Sequence, residues 1–432
     1  METKGVLMST IDENCEKDEN CEKRRVVITG LGIVSAIGIG KELFWESLQA
    51  RKSGIRTITS LDVSGYPCQI GGEIVDFDPL TFMPAQLARR IDRFAQLGVA
   101  AAKLAMQDTN LNISTTERDR IGIVMGTSLG TLSFAEQQFT LYHEKGLERI
   151  NPFFATSVIP STCVTQMMIN LGIEGPCQTV TTACVSSTSA VGLAVQSIKE
   201  NDTDIMLAGG SEAPFSSFVL ATLASMQLLV TEYFEPSTAY RPFSKDAAGF
   251  ALGEAAAVLV VEELGHAVKR GANIYAEIVG FGSSSDAHHV ADFSPDLRQA
   301  SRAIKKALQE AKLSPNEIEY IHAHGTAIPS HDNSETAIVK KVFGESAYTI
   351  PISTIKPYTG HVLGASGSVG LTACALMINR GYLHPTLNFA GPSLQCDLDY
   401  IPNEGYQRKV NTILLVSFGF GGYNAACILK SY

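Results

Sequence analysis

Short, wholly apolar runs of strand type alternate with helix-period segments along this chain, and the alternation occurs twice. The runs Val26-Val27-Ile28, Ile121-Gly122-Ile123-Val124, Ile205-Met206-Leu207-Ala208 and residues 255–261 carry no polar face. A sheet accepts such strands where both of its faces are covered. Between them, residues 94–107 and 190–200 repeat apolar positions at helical spacing. After Glu262-Glu263 the pattern restarts, with strands expected at 274–280 and 318–324, an amphipathic helix at 301–311, a small-residue helix at 365–380 and a last apolar strand at 412–416. Strands alternating with helices predict an α/β layered architecture. Similar size and element order in two stretches predict a duplication, with one half at 25–265 and the other at 266–432. No low-complexity linker parts them, so one body with a site between the halves is expected.

Bulk properties narrow the function. A net charge of −10 over 432 residues argues against nucleic acid or an anionic membrane surface as a general partner. No apolar run approaches the ~18 residues that a membrane helix needs. Nine cysteines, odd in number and without CxxC spacing, predict reduced thiols and a cytoplasmic protein. Met1 to Thr10 lack the basic region and apolar core of a secretory signal. Residues 1–24 are expected to be a disordered acidic tail. Asp12-Glu13-Asn14-Cys15-Glu16-Lys17 recurs unchanged as residues 18–23, and seven acidic against three basic side chains give residues 1–23 −4 of the −10. That much charge with so little apolar surface cannot offset ordering entropy. Cys15 and Cys21 have no further ligands nearby, and no metal site is expected.

The candidate motifs lie at strand ends. Gly30-Leu31-Gly32 reads as a glycine turn after the first strand, but Ser35 stands where the third glycine of a dinucleotide fingerprint belongs. Close backbone packing explains these glycines better. Thr181-Thr182-Ala183-Cys184-Val185-Ser186 is a sharper signal. Residues 177–182 read as a strand, and Val185, Ala190, Leu193, Ala194 and Ile198 recur at helical spacing, so a helix begins at or just after Cys184. A cysteine at a strand-to-helix turn occupies the place of a nucleophile elbow, where amide groups and the helix dipole favour a thiolate. Taken alone, Cys184 is explained as well by a small buried thiol. Three more motifs weigh against that. His324-Gly325-Thr326 ends a strand, Lys356-Pro357-Tyr358-Thr359-Gly360-His361 opens a turn into a helix, and Ser417-Phe418-Gly419-Phe420-Gly421-Gly422 is a glycine loop. Loops at buried strand ends are where α/β proteins place their chemistry. His143, His266 and His384 have no such surroundings and are read as surface or packing residues.

In this order and spacing, the four motifs make the chain resemble the β-ketoacyl-acyl carrier protein synthases, most closely the elongating type II branch of fatty-acid and polyketide systems. The likeness runs from about Arg24 to Leu429, with support from Arg241-Pro242-Phe243, Gly253-Glu254 and His384-Pro385-Thr386. It implies a thiolase-like αβαβα sandwich of two similar halves. It also implies a decarboxylative Claisen condensation in which Cys184 holds the acyl group and His324 and His361 stabilise the enolate. The backbone N–H groups of Cys184 and Phe420 would form the oxyanion hole, with the Phe420 ring as a gate. Lys356, Asp332 and Glu335 match the supporting polar network, although a generic buried ion pair would look the same. Thr326 and Thr359 are expected along the phosphopantetheine path. Arg89 and Arg90 are the candidates for docking an acidic acyl carrier protein, against the plainer reading of a charged helix face.

The resemblance implies no bound cofactor or metal, since substrates ride on the carrier's phosphopantetheine arm. It implies a homodimer, or a heterodimer with a chain-length-factor subunit. A starter-unit synthase would pair the cysteine with one histidine and an asparagine, and a thiolase would carry a second cysteine in the glycine loop; neither fits. Tyr423, Val416, Ile355, Ala247-Ala248, Gln227 and Glu232 depart from the fatty-acid pattern. These departures point to the catalytic ketosynthase of a specialised polyketide or polyene pathway. A homodimeric fatty-acid elongation synthase is the alternative. A non-catalytic chain-length-factor subunit is a distant third, because such subunits lose the cysteine.

Overall fold

The computed structural model describes residues 24–113 and 117–432. The tail expected over 1–24, with Cys15 and Cys21, lies outside the described residues except for Arg24. That arginine is built into the fold: it donates to the Ile198 and Thr203 carbonyl oxygens and pairs with Asp204.

Ten strands form the frame: β1 (Val26–Ser35), β2 (Ile121–Gly126), β3 (Cys177–Val180), β4 (Ile205–Glu212), β5 (Ala255–Glu263), β6 (Ala276–Ser285), β7 (Tyr320–His322), β8 (Ile352–Ser353), β9 (Thr412–Gly419) and β10 (Tyr423–Lys430). They are hydrogen-bonded in the order β8-β7-β9-β10-β6-β1-β5-β4-β2-β3. In the first five, β2 runs parallel to β3 and β4, while β5 is antiparallel to β4 and to β1. The second five repeat both the order and the directions. The two sets meet where β1 and β6 pair briefly, with Val27 opposite Glu277. The final strand expected at 412–416 runs on to Gly419 and is followed by β10.

Helices α1 (Arg93–Thr109), α2 (Ser186–Lys199), α3 (Arg298–Ala311), α4 (Pro329–Phe343) and α5 (Ser366–Arg380) complete the layers. Every residue of α5 from Ser366 to Ile378 is buried, and a helix apolar on all sides belongs in a central layer. Burial of Leu371, Leu376 and Met377 there contributes about 1.5–3 kcal/mol each. Beside it, α2 reaches across the divide: a Cβ on Gly192 would strike the Phe281 ring of β6. The outer helices cover the far faces. On α3, Ala300, Ala303, Ile304, Ala307 and Leu308 point inward, the stripe that its sequence periodicity predicts. The stack is helix, sheet, helix pair, sheet, helix.

The glycines expected to form a turn after the first strand are instead strand residues. β1 runs through Gly30 and Gly32 to Ser35, because α1 lies so close that a Cβ on Gly32 would drive into the Ala101 carbonyl. β6 repeats the device, with Gly282 against the Ala303 carbonyl of α3. Close backbone approach therefore accounts for both glycine pairs.

Candidate active site

Cys184 stands between β3 and α2, at a turn that Ser186 fastens. The Ser186 hydroxyl donates to the Ala183 carbonyl at 2.6 Å and accepts the Thr182 N–H at 2.9 Å. Ala183 is held at φ 50°, a left-handed conformation costing an alanine roughly 1–2 kcal/mol. A strained residue directly before a nucleophile candidate fits a site whose geometry the surrounding fold imposes. Three other segments come to the same place: His324 after β7, His361 after the short helix Lys356–Thr359, and Phe418–Gly422, where β9 ends and turns into β10. Cys184, His324, His361, Thr326, Glu335 and Phe420 line one cavity of about 200 Å³.

The two imidazoles share a tautomer. The Leu363 N–H donates to His361 Nδ1 at 3.3 Å. Because an amide N–H can only donate, Nδ1 is the acceptor and the proton sits on Nε2. Lys356 Nζ lies 3.4 Å from His324 Nδ1 and also donates to the His324 carbonyl, which assigns the His324 proton to Nε2 by the same logic. The rings meet edge to face, 5.5 Å between centroids. Burial and the nearby Lys356 charge push both well below the ordinary histidine range. Two neutral N–H donors therefore serve one cavity. Burial also pushes the Cys184 thiol up to about 12, against the pull of the Lys356 charge. Desolvation thus opposes the thiolate that the helix start favours.

A buried framework fixes the His324 loop. Glu335 on α4 accepts the His324 and Gly325 N–H groups at 2.6 and 2.8 Å. Asp332, one helical turn earlier, accepts those of Phe243, Thr326 and Ala327. Desolvation raises both carboxyls and lowers Lys356. Asp332→Ala leaves three buried donors without a partner, each costing about 1–3 kcal/mol. It is expected to lower unfolding stability by at least about 3 kcal/mol in a urea titration; a change under about 1 kcal/mol would show that these bonds hold nothing.

The other predicted residues divide. Thr326 lines the cavity, whereas Thr359 is fully buried, is not among the lining residues, and turns its hydroxyl to the Gly360 carbonyl at 2.9 Å. Lys356 and Asp332 are buried behind the wall. Arg89 is exposed at the end of the short helix Ala85–Ala88, and Arg90 lies 4.4 Å over the Phe153 ring; neither lines the cavity.

Sequence reading missed three features. Glu212, at the end of β4, is fully buried and accepts N–H groups from Ser128, Leu129, Gly130 and Gly364, tying the segments around the cavity together. Nothing in its neighbourhood marks it except a carboxylate ending an apolar strand. Residues 286–293 supply cavity wall without any motif. Most of the aromatic lining also forms one belt. Phe250 stands edge-on to His361, His361 to His324, and His324 to Phe418. From Phe418 the belt continues through Phe293 and His331 to Phe420.

Two family models match the chain: the β-ketoacyl synthase N-terminal domain over residues 23–267 and the β-ketoacyl synthase C-terminal domain over residues 275–390. The chain belongs to the β-ketoacyl synthase family. A 3-oxoacyl-[acyl-carrier-protein] synthase 2 from Coxiella burnetii is 39% identical to this synthase over 94% of the chain and 99% of the relative. Among solved structures, a chain of the ishigamide ketosynthase/chain length factor superposes with a TM-score of 0.89 at 32% identity, covering 95% of this chain and all of that one. A chain from a type II polyketide synthase acyl-carrier protein in complex with its ketosynthase, bound to the hexaketide, gives 0.87 at 32% identity with the same coverage. The five-layer stack is the thiolase-like fold of these enzymes, and the synthase is an acyl-transferring condensing enzyme. Among its described residues no helix is long and apolar enough to cross a membrane.

Proposed function

We propose that this synthase extends an acyl chain by decarboxylative Claisen condensation, with Cys184 holding the growing acyl group and malonyl-acyl carrier protein supplying two carbons. The observation that carries the reading is the pair of neutral imidazoles, both protonated on Nε2, on the cavity that holds the Cys184 sulfur. In the first half-reaction the sulfur attacks the carrier thioester. The carbonyl–sulfur bond to pantetheine breaks, and the Cys184 proton passes to the departing pantetheine thiol. In the second, the malonyl carboxylate leaves as CO₂ and its bonding electrons form an enolate, whose oxygen accepts from His324 and His361. The enolate carbon attacks the acyl carbonyl, the Cys184 sulfur departs as thiolate and takes a proton from water, and the β-ketoacyl product stays on the carrier.

The N–H groups of Cys184 and Phe420 serve as the oxyanion hole, with the Phe420 ring as gate. Lys356 acts through His324, and Asp332 and Glu335 hold the loop. Thr326 lies on the pantetheine path, while the buried hydroxyl of Thr359 serves the fold. Arg89 and Arg90 dock an acidic carrier protein, with Arg89 the more exposed of the two. The synthase works without a bound metal or cofactor.

For the pathway, the reading is the catalytic ketosynthase of a specialised type II polyketide or polyene system, paired with a chain-length factor. The likeness to the ishigamide ketosynthase/chain length factor supports it. A homodimeric fatty-acid elongation synthase is the second reading, favoured by the Coxiella relative. Intact-protein mass spectrometry after mixing with acyl-carrier protein, followed by peptide mapping, tests both. An adduct on Cys184 from the chain alone supports the self-sufficient enzyme, and loading only after a second subunit is added supports the heterodimer. No adduct under either condition overturns the assignment.

A further inference from the structure

The belt of rings has one link that neither the sequence motifs nor the reaction assigns. His331 stands on the first turn of α4, its ring edge-on to Phe420 at 6.3 Å and to Phe293 at 5.6 Å, with interplanar angles of 81° and 89°. Phe293 continues at 5.2 Å to Phe418, and Phe418 lies 6.1 Å from His324. All five rings line the cavity. The His331 side chain is 13% exposed, with Nε2 3.8 Å from Asp292.

Phe420 needs such a neighbour. It sits between Gly419 and a pair of glycines with φ of 83° and 74°, so its own backbone does little to hold the ring. Two backbone hydrogen bonds tie the glycines of the loop to the facing segment: the Gly421 N–H donates to the Val290 carbonyl at 2.7 Å, and the Asp286 N–H to the Gly422 carbonyl at 2.9 Å. These bonds fix the backbone and leave the side chain to its ring contacts.

We propose that His331 is the positioning residue for Phe420, a ring that fixes the gate against Phe293 and so sets which acyl chains reach Cys184. The proposal rests on the reading of Phe420 as gate and Cys184 as acyl acceptor. His331 touches no reacting atom and acts through the gate.

The test compares the full-length wild type with His331→Ala, His331→Phe and Phe293→Leu. Two rates are read. One is acylation of Cys184 by a graded series of straight-chain acyl thioesters of N-acetylcysteamine. The other is alkylation of Cys184 by a bulky maleimide relative to iodoacetamide, which needs no acyl transfer. His331→Ala is expected to flatten the discrimination between best and worst chain lengths about tenfold, the size expected for one or two lost edge-to-face contacts. It also raises the maleimide-to-iodoacetamide ratio. Phe293→Leu moves both readouts the same way, and His331→Phe, which keeps the ring and drops the Asp292 contact, restores them. A chain-length profile and alkylation ratio equal to wild type in His331→Ala overturn the proposal, as does failure of His331→Phe to restore them. If wild-type Cys184 takes no acyl group, the functional reading falls, and the alkylation ratio still decides whether His331 positions Phe420.

Discussion

Cys184→Ala eliminates acyl transfer to the protein, by at least about 10⁴-fold, the scale on which losing a nucleophile acts. Among the described residues no other cysteine lines the cavity. Cys163, Cys374 and Cys427 are buried in core clusters away from the cavity, and desolvation raises all three. The fold should survive, because the change removes one sulfur from a small site, worth about 1 kcal/mol of buried surface. Intact mass after incubation with an acyl-carrier thioester, beside a thermal melt by circular dichroism, separates the two effects. An adduct forming at the wild-type rate would remove Cys184 from the mechanism. The wild-type thiol adds a pH signature. With its pKa raised to about 12 by burial, the reactive thiolate is the minority species, and its share grows as pH rises. Alkylation by iodoacetamide should therefore climb about tenfold per pH unit through the neutral range without levelling off. A plateau near neutral pH would mean that the start of α2 holds the sulfur ionised after all.

Why the sequence exposed Cys184, His324 and His361 but hid Glu212 and His331 follows from what each residue needs around it. The first three sit at sharp turns, Cys184 between β3 and α2, His324 between β7 and α4, and His361 between the short helix Lys356–Thr359 and α5, and such turns leave glycines, small residues and abrupt changes of period in the sequence. Glu212 is held by four amide groups, which every residue supplies, and by the single hydroxyl of Thr127, so its partners leave little side-chain pattern. His331 and Phe293 meet through the tertiary fold, from α4 and from a segment with no regular structure, and their spacing in sequence says nothing about their contact. Ala183 is hidden for a similar reason: an alanine carries no sign that the fold holds it at φ 50°.

The strands were legible because β1, β4 and β5 are buried on both faces, so their composition is apolar without alternation. Gly30 and Gly32 were read as a turn, although the close packing expected of them is what the fold imposes. What distinguishes a strand glycine under a helix from a turn glycine is the partner that presses on it, here Ala101 or Ala303. The duplication does leave a trace. Ile28-Thr29-Gly30-Leu31-Gly32 and Ile278-Val279-Gly280-Phe281-Gly282 occupy matching strands, and each carries a register shift just before its first glycine. Two first strands bearing the same bulge and the same clearance for a helix are the sequence echo of the repeated strand order.

Cys184→Gln separates the two half-reactions and tests the histidine pair. The glutamine carboxamide places a carbonyl where the acyl thioester would stand, so the cavity meets malonyl-carrier protein as the loaded enzyme would, with no acyl group to attack. Decarboxylation should then run uncoupled, seen as CO₂ release and accumulation of acetyl-carrier protein. In that background His324→Ala and His361→Ala each remove one of the two neutral donors proposed for the enolate oxygen, and each should slow CO₂ release by about 10²–10³-fold. The two losses should not multiply, since one donor alone orients the thioester poorly and the rings support each other at 5.5 Å. Lys356→Met should slow it less, because that side chain lies behind the cavity wall and reaches the reaction through His324 and through its charge on the two rings. If Cys184→Gln releases no CO₂, or if it does so undiminished without either histidine, enolate stabilisation belongs to other groups and the roles given to His324 and His361 are wrong.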